Sequence, residues 1–512
     1  MKLVLVLFVG LFLINCGGGK HPPPPPPTPT PTPTFTPTPG GPMAFATPYP
    51  TPAVNPASYL PAVQEGKTVT VSGENLADKI QAAEDDSTVG TVKIEGGGSI
   101  NKQVTLKRHT VFDSSTYSCD VQGITDSGVF LISDGVLVEG TWRPPQSLND
   151  YWVKGNGRDS KDSYLLAVQA LTADQLSGAG TTLLEPTFVA DYAPLPAIEV
   201  FQSVGDSCCS HTDKASNIAV VGFHIKGRQK TYDGGVRSTI LFGNCSHCTA
   251  QNNYLEDTAS IGILFGGSAL EFTRPDNVHL KDNFANDIVS WRNVYSGVAA
   301  ANSATINAEN AYVYENYVRR PGHHDPVFGG GVCGHDHETN SEADHTKNIW
   351  VYNNLYDYEG ANQGSAGSAI CLQAPYVGPN VEKVVAANNI IIGGREDRDW
   401  RYMSNGLFLV GLTDCQIINN YIYRTGQNAI QIYAISKCLI QDNDFESTGG
   451  GGNPTMDANH MRDTVVRRNN FRERPGLTIN TQAGMQDVCG ERNTYEDNRT
   501  LGELTPPINK CP

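Results

Sequence analysis

The stretch Ile349-Trp-Val-Tyr-Asn-Asn354-Leu joins a short β-prone run to a closing pair of asparagines. It has counterparts in Cys248-Thr-Ala-Gln-Asn-Asn253-Tyr, Val384-Val-Ala-Ala-Asn-Asn389-Ile and Cys415-Gln-Ile-Ile-Asn-Asn420-Tyr. Taking Asn253, Asn283, Asn316, Asn354, Asn389, Asn420, Asn443 and Asn470 as equivalent gives spacings of 30, 33, 38, 35, 31, 23 and 27 residues, with the register at Asn470 ambiguous by one. Spacings of this size with variable insertions mark a solenoid. Five and three residues before each Asn stand small or apolar residues, such as Ile349 and Val351 or Cys415 and Ile417. That is the alternation of a strand with one face in a core. Asparagine tolerates the left-handed backbone and hydrogen-bonds locally, so its stacked copies predict a ladder at one corner of every coil.

Each of these runs is preceded by another short strand, at Ile240 to Gly243, Ile263 to Gly266, Val332 to His335, Ile370 to Gln373, Phe408 to Gly411 and Ile430 to Tyr433. A third strand follows the Asn, as in Ile390-Ile-Ile392 and Tyr421-Ile-Tyr423. Three short strands per coil resemble the pectate-lyase-like superfamily, over roughly residues 70 to 500. The resemblance implies an all-β chain folded as a right-handed parallel β-helix. Asn75 to Asp85 reads as a short amphipathic helix with Leu76, Ile80 and Ala83 on one face and Asn75 as N-cap. In the superfamily such a helix commonly covers the N-terminal end of the solenoid, which would otherwise offer an open edge. Val92 to Ile94, Val104 to Leu106, Val129 to Ile132 and Val136 to Val138 supply the first coils.

The chain therefore divides into an export segment at 1–16, a linker at 17–57, cap and first coils at 58–140, an insertion breaking the rhythm at 141–196, the main β-helix at 197–500 and a tail at 501–512. Met1-Lys2 followed by the apolar run Leu3 to Ile14 is an export signal, too short to span a bilayer as a mature helix. Leu13-Ile14-Asn15-Cys16 resembles the lipobox of bacterial lipoproteins, although Asn15 stands where the family prefers a small residue. The resemblance implies lipidation at Cys16 and an outer-membrane or cell-surface location, with plain secretion as the alternative. The Pro/Thr-rich linker cannot bury a core and favours extended polyproline II. At roughly 3.1 Å per residue it would hold a domain up to about 100 Å from a membrane.

A formal charge of −16 over 512 residues argues against nucleic acid as a partner, because neutralising phosphates needs clustered Lys and Arg. The unusual chemistry lies around Val332 to His335. Arg319-Arg320-Pro-Gly-His323-His324-Asp325 precedes that strand, and His335-Asp336-His337-Glu338 closes it. If Val332 and Gly334 face the core, then Cys333 and His335 face out, as do Cys371 and Gln373 on the next coil and Gln431 and Tyr433 two coils further. His335, Gln373 and Tyr433 are thus expected to line one exterior groove. Arg395-Glu-Asp-Arg398-Asp-Trp400-Arg401-Tyr402 enters the strand at Phe408, at the same corner as His323 and His324.

Histidines, arginines and aromatics in one groove suit a polysaccharide, since aromatic faces stack on sugar rings and guanidinium forks hold carboxylates. The superfamily resemblance implies lyase, hydrolase or epimerase chemistry on that face. In this reading His335 or His324 is the acid or base, and Arg398 or Arg401 neutralises a uronate carboxylate. Gln373, Tyr433, Trp400, Arg401 and Arg320 hold the sugar. The competing readings are ordinary polar surface loops and a non-catalytic glycan-binding, adhesin or structural β-helix. Family motifs of polygalacturonases and pectate lyases do not match, Gly334-His335-Asp336 being a partial echo. Calcium stays open as a cofactor, without a calcium-loop motif.

Of the cysteines, Cys248, Cys415 and Cys438 each lie five residues before a repeated Asn and read as small buried hydrophobes. Cys333 and Cys371 are expected at equivalent outward positions on successive coils, close enough for a disulfide if the alignment holds. Cys208-Cys209-Ser-His211 and Cys245-Ser-His247-Cys248 fall in neighbouring coils, where a metal site, a disulfide or unpaired thiols are all open.

Overall fold

The computed structural model describes residues 55–119, 129–154, 163–186, 215–227, 238–242, 245–257, 261–266, 285–296, 301–306, 308–319, 332–335, 347–358, 368–373, 381–393, 405–447, 454–473, 484–500, 503–504 and 508–509. Among these residues the chain winds through three large sheets of 15, 14 and 10 strands, with Val104–Leu106 and Phe130–Ile132 forming a two-stranded one, and every long-range strand neighbour is parallel. This is a right-handed parallel β-helix, the hand that strand–crossover–strand connections favour. The first sheet holds the strands ahead of the asparagine corner, such as Lys347–Tyr352 and Val381–Ala387. The second holds the short strands after it, such as Leu355–Asp357 and Ile390–Ile392. The third holds Val332–His335, Ser368–Gln373, Asn405–Val410 and Asn428–Tyr433, and also Ala301–Ile306, which the sequence pattern missed.

The ladder exists, with two members corrected. Its members are Asn253, Asn293, Asn316, Asn354, Asn389, Asn420, Asn443, Asn469 and Asn498, each donating its backbone N–H to the Oδ1 of the next. Asn293 takes the place expected of Asn283, which lies outside the described residues, and Asn469 takes the place of Asn470. At Asn354 the amide Nδ2 donates to Asn389 Oδ1 at 3.0 Å and to the Val313 carbonyl at 3.0 Å. The left-handed conformation belongs to the preceding residue, as at Asn252 (φ 51°), Arg292 (51°), Asn353 (56°) and Arg468 (52°). Two jobs expected of one Asn are therefore split, the first residue turning the backbone and the second supplying the buried amide.

Helix α1, Leu76–Asp85, buries Leu76, Ala77, Ile80 and Ala83 against the first coils. Asn75 is its N-cap by position, but it adopts φ 54° and its side chain makes no cap bond, contrary to expectation. Instead the helix is tied through Glu84. That buried carboxylate accepts from the backbone N–H of Lys107 (2.6 Å) and Arg108 (2.8 Å) and from the Thr110 hydroxyl (2.9 Å). Burial nevertheless raises its pKa above the ordinary value, outweighing those bonds.

The expected insertion carries three helices, α2 (Gln146–Lys154), α3 (Ser163–Gln169) and α4 (Ala173–Ser177). Trp142, Leu148, Tyr151, Trp152, Val168 and Leu176 pack on Tyr254, Val294, Tyr317, Leu355 and Ile390 of the second sheet. Strand register puts those five residues in one column, so the lobe covers an outward apolar stripe that would otherwise be wetted. Leu183–Pro186, within the stretch read as insertion, is already a coil strand paired with Thr116–Cys119 and His224–Lys226. At the other end of the stretch read as a tail, Ile508–Asn509 pairs with Met485–Val488. The N-terminal turn Pro56–Tyr59 lies on the first sheet, with the Tyr59 carbonyl accepting the Thr249 hydroxyl at 3.2 Å and Leu60 packed on Leu137, Ala219 and Val221.

Cys415 and Cys438 correct a further expectation. They are joined as a disulfide between adjacent coils, with Cα atoms 4.4 Å apart. The repeat placed them one coil apart at the same buried position, which is the geometry a disulfide needs. Cys248 is the small buried residue expected, its thiol directed to the Ser246 carbonyl.

Candidate functional site

The third sheet alternates as the sequence predicts. Ile370 and Leu372, Leu407 and Leu409, Ile430 and Ile432, and Met456 and Ala458 are buried in the core. Cys371, Gln431, Tyr433, Asp457, Asn459 and Gln486 are partly exposed between them. Register builds two columns of strand positions. One runs Cys333, Cys371, Phe408, Gln431, Asp457, Gln486, and the other runs His335, Gln373, Val410, Tyr433, Asn459, Val488. His335, Gln373 and Tyr433 thus share one column by strand position, with Val410 between Gln373 and Tyr433. Val410 and its neighbour Phe408 are buried, so the column has an apolar segment that the alternation argument passed over.

The other sequence-derived positions, Arg320, His324, Arg398, Trp400, Arg401 and Cys16, lie outside the described residues. So do the paired Cys208-Cys209 and the acidic residues following His335. Among the described residues no group of three or more His, Cys, Asp or Glu side chains is set to hold a metal ion.

What the described face contains is two sets of polar groups. Asn405 Nδ2 donates to Gln431 Oε1 at 2.9 Å, Gln431 Nε2 donates to the Tyr433 hydroxyl at 2.8 Å, and Gln486 Nε2 reaches Asp457 Oδ1 at 3.4 Å. The Tyr433 ring meets Phe408 edge-on with centroids 6.0 Å apart. The Oδ1 atoms of Asn405, Asn428 and Asn459 are buried with no hydrogen-bond partner among the described residues. Buried polar atoms left unpaired are costly, and the first sheet carries others at Gln251 and Tyr314.

Asp457 is the residue sequence reasoning missed. Burial pushes its carboxyl above its ordinary pKa, which moves it toward the range of a working acid. The signal was available, because Met456-Asp-Ala-Asn459 repeats the in–out alternation of Ile430-Gln-Ile-Tyr433 one coil on. A polar face of amides, a phenol and a protonatable carboxyl beside an aromatic pair can accept and donate to sugar hydroxyls and can move a proton.

No family model matches this chain, and no curated protein matches it in sequence. Solved structures with a similar chain course include the A-module of the Azotobacter vinelandii mannuronan C-5 epimerase AlgE4 (11% identity, TM-score 0.40, covering 89% of this chain and 99% of that one). The A-module of AlgE6 from the same organism is also similar (12% identity, TM-score 0.43, 85% and 94% covered), as is a tailspike protein of E. coli bacteriophage HK620 (12% identity, TM-score 0.41, 83% and 64% covered). Likenesses this distant leave the function to be argued from the residues.

Proposed function

We propose that this is an exported β-helix protein that acts on a uronate-containing polysaccharide along the outward face of its third sheet, anchored at the cell surface through Cys16. The observation that carries the reading is that strand register sets positions His335, Gln373 and Tyr433 in one column beside the column of Gln431 and Asp457, whose carboxyl is raised by burial. At the ~4.8 Å spacing of stacked strands, His335 and Asp457 stand four coils, or about 19 Å, apart along the axis. That length suits several consecutive sugar units rather than one.

In a lyase, a base takes the proton from C5 of the uronate, the C4–O bond breaks as the double bond forms between C4 and C5, and an acid protonates the departing oxygen. In an epimerase the C5 proton is removed from one face and another is returned to the opposite face. Both need an acid, a base and a cation on the carboxylate. His335 or His324 takes the role of base or acid, Arg398 or Arg401 neutralises the carboxylate, and Gln373, Tyr433, Trp400, Arg320 and, several sugar units further along, Asp457 hold the chain.

The buried Phe408 and Val410, which interrupt the polar column, support a second reading, a binding platform without turnover. Incubating the purified protein with alginate, pectin and glycosaminoglycans, with and without calcium, separates the two. The catalytic reading expects an unsaturated product in the ultraviolet or an inverted C5 signal by NMR, lost in His335→Ala or His324→Ala. Tight binding with no product under any condition would replace it by the platform.

A further inference from the structure

A second polar site lies on a different flank, under the helical lobe. A cavity of about 410 Å³ opens between the turn at Ser114–Thr116, the outward side of the second sheet and α4 with the turn that follows it. Its floor is built from register: Glu185, Lys226 and Glu256 continue one outward column, and Leu183 and His224 the adjacent one. His224 is buried, its Nε2 2.9 Å from Glu256 Oε2, and Lys226 Nζ lies 3.4 Å from the same oxygen. Burial would raise the Glu256 carboxyl, but the hydrogen bond from His224 and the two neighbouring cations outweigh it and hold it below its ordinary value. It therefore stays an acceptor at neutral pH.

The cavity is held open by rigid parts. The His224 ring stacks on Tyr254 at 4.5 Å, and Tyr254 on Trp142 at 5.8 Å. Trp142 Nε1 in turn donates to the Leu176 carbonyl at 2.8 Å, pinning the roof helix to the coil. Thr172 and Gln175 close the N-terminus of that helix with a reciprocal capping box. Roof and floor are thus fixed to one another through buried aromatic packing, so the space between them is preformed.

We propose that this cavity is a binding site for a neutral sugar residue. Three carboxylates, Asp174, Glu185 and Glu256, stand around it against one lysine and a histidine, so a uronate would be repelled. The same groups suit hydroxyls, which donate to carboxylates and accept from Lys226 and from the serine and threonine hydroxyls of the rim. The volume falls within the range of small-molecule binding pockets. The site rests on the second sheet and the lobe alone and is independent of the third-sheet reading. The two faces would take opposite classes of sugar.

The test is to titrate the purified full chain with neutral gluco-, galacto- and manno-oligosaccharides of two to four units, and separately with oligo-uronates, by calorimetry. Saturable binding of a neutral oligosaccharide is expected, weakened at least ~10-fold in Glu256→Gln and in Lys226→Ala through loss of charge-assisted hydrogen bonds. Asp174→Asn, on the exposed roof, keeps the fold and is expected to weaken it by a smaller factor. No saturable neutral binding, neutral binding indifferent to Lys226→Ala and Asp174→Asn, or uronate binding lost in Glu256→Gln would each overturn the proposal. Binding of calcium alone with no sugar bound would do the same.

Discussion

The asparagines of the ladder corner and those of the third sheet are the same side chain put to different ends. In the ladder, Asn389 accepts from the backbone and the amide of Asn354, and donates to Asn420 and to the Val351 carbonyl. Both ends of its side-chain amide are used, and the corner repeats nearly unchanged from Asn253 to Asn498. On the third sheet, Asn405 and Asn428 each donate, to Gln431 and to the Pro454 carbonyl, while their Oδ1 atoms stay buried without a partner among the described residues. A fully paired amide stabilises its corner, whereas a buried acceptor left without a partner costs stability.

The sharpest way to break that comparison is Asn389→Ala. It deletes two donated bonds and orphans two buried donors of Asn354, so it is expected to cost about 3–5 kcal/mol, read from denaturant unfolding. A cost near that of a surface substitution would show that the ladder does not hold the coils. Next comes the disulfide. Replacing Cys415 and Cys438 by alanine releases a loop of 23 residues in sequence separation and is expected to cost about 2–3 kcal/mol.

Asn405→Ala is expected to cost under about 1 kcal/mol, since it removes one bond together with an acceptor that was already unpaired, while weakening glycan binding. The smallest effect is that of Asp457→Asn. The folded-state pKa of Asp457 is raised, so folding binds its proton more tightly. The stabilising contribution is present below the unfolded pKa and is lost as pH rises through the folded one. The substitution should therefore raise the thermal midpoint slightly at neutral pH and leave it unchanged in acid. The same rise at both pH values would place Asp457 in a wetter setting than the structure shows.

The coil pattern was legible because each coil must bury the same small set of groups at the same corner. The two misplaced ladder positions show what was not legible. The doublets Asn252-Asn253, Asn353-Asn354, Asn388-Asn389 and Asn419-Asn420 suggested that a ladder Asn follows another Asn. The left-handed position before it needs only a residue that tolerates positive φ, and Arg292, Glu315, Arg468 and Asp497 fill it as well. Asn293 therefore looked unlike its equivalents, and Asn469-Asn470 looked like a doublet shifted by one. The disulfide was hidden for a related reason, since a buried thiol and a half-cystine share the same repeat position. The outward columns of the third sheet followed from alternation alone, but Asp457 did not stand out, because a carboxylate on an outward position is ordinary until burial raises it. The lobe over the second sheet could be placed in sequence but not in space, since nothing in residues 141–182 states which stripe it covers.

The central claim is that the outward face of the third sheet binds a uronate glycan. Calorimetric titration of oligo-uronates into the wild-type protein and into Tyr433→Ala tests it most directly. The account predicts saturable binding that weakens at least ~10-fold in the variant, through loss of ring stacking and of the hydroxyl that Gln431 contacts. Equal affinity in both proteins would contradict it.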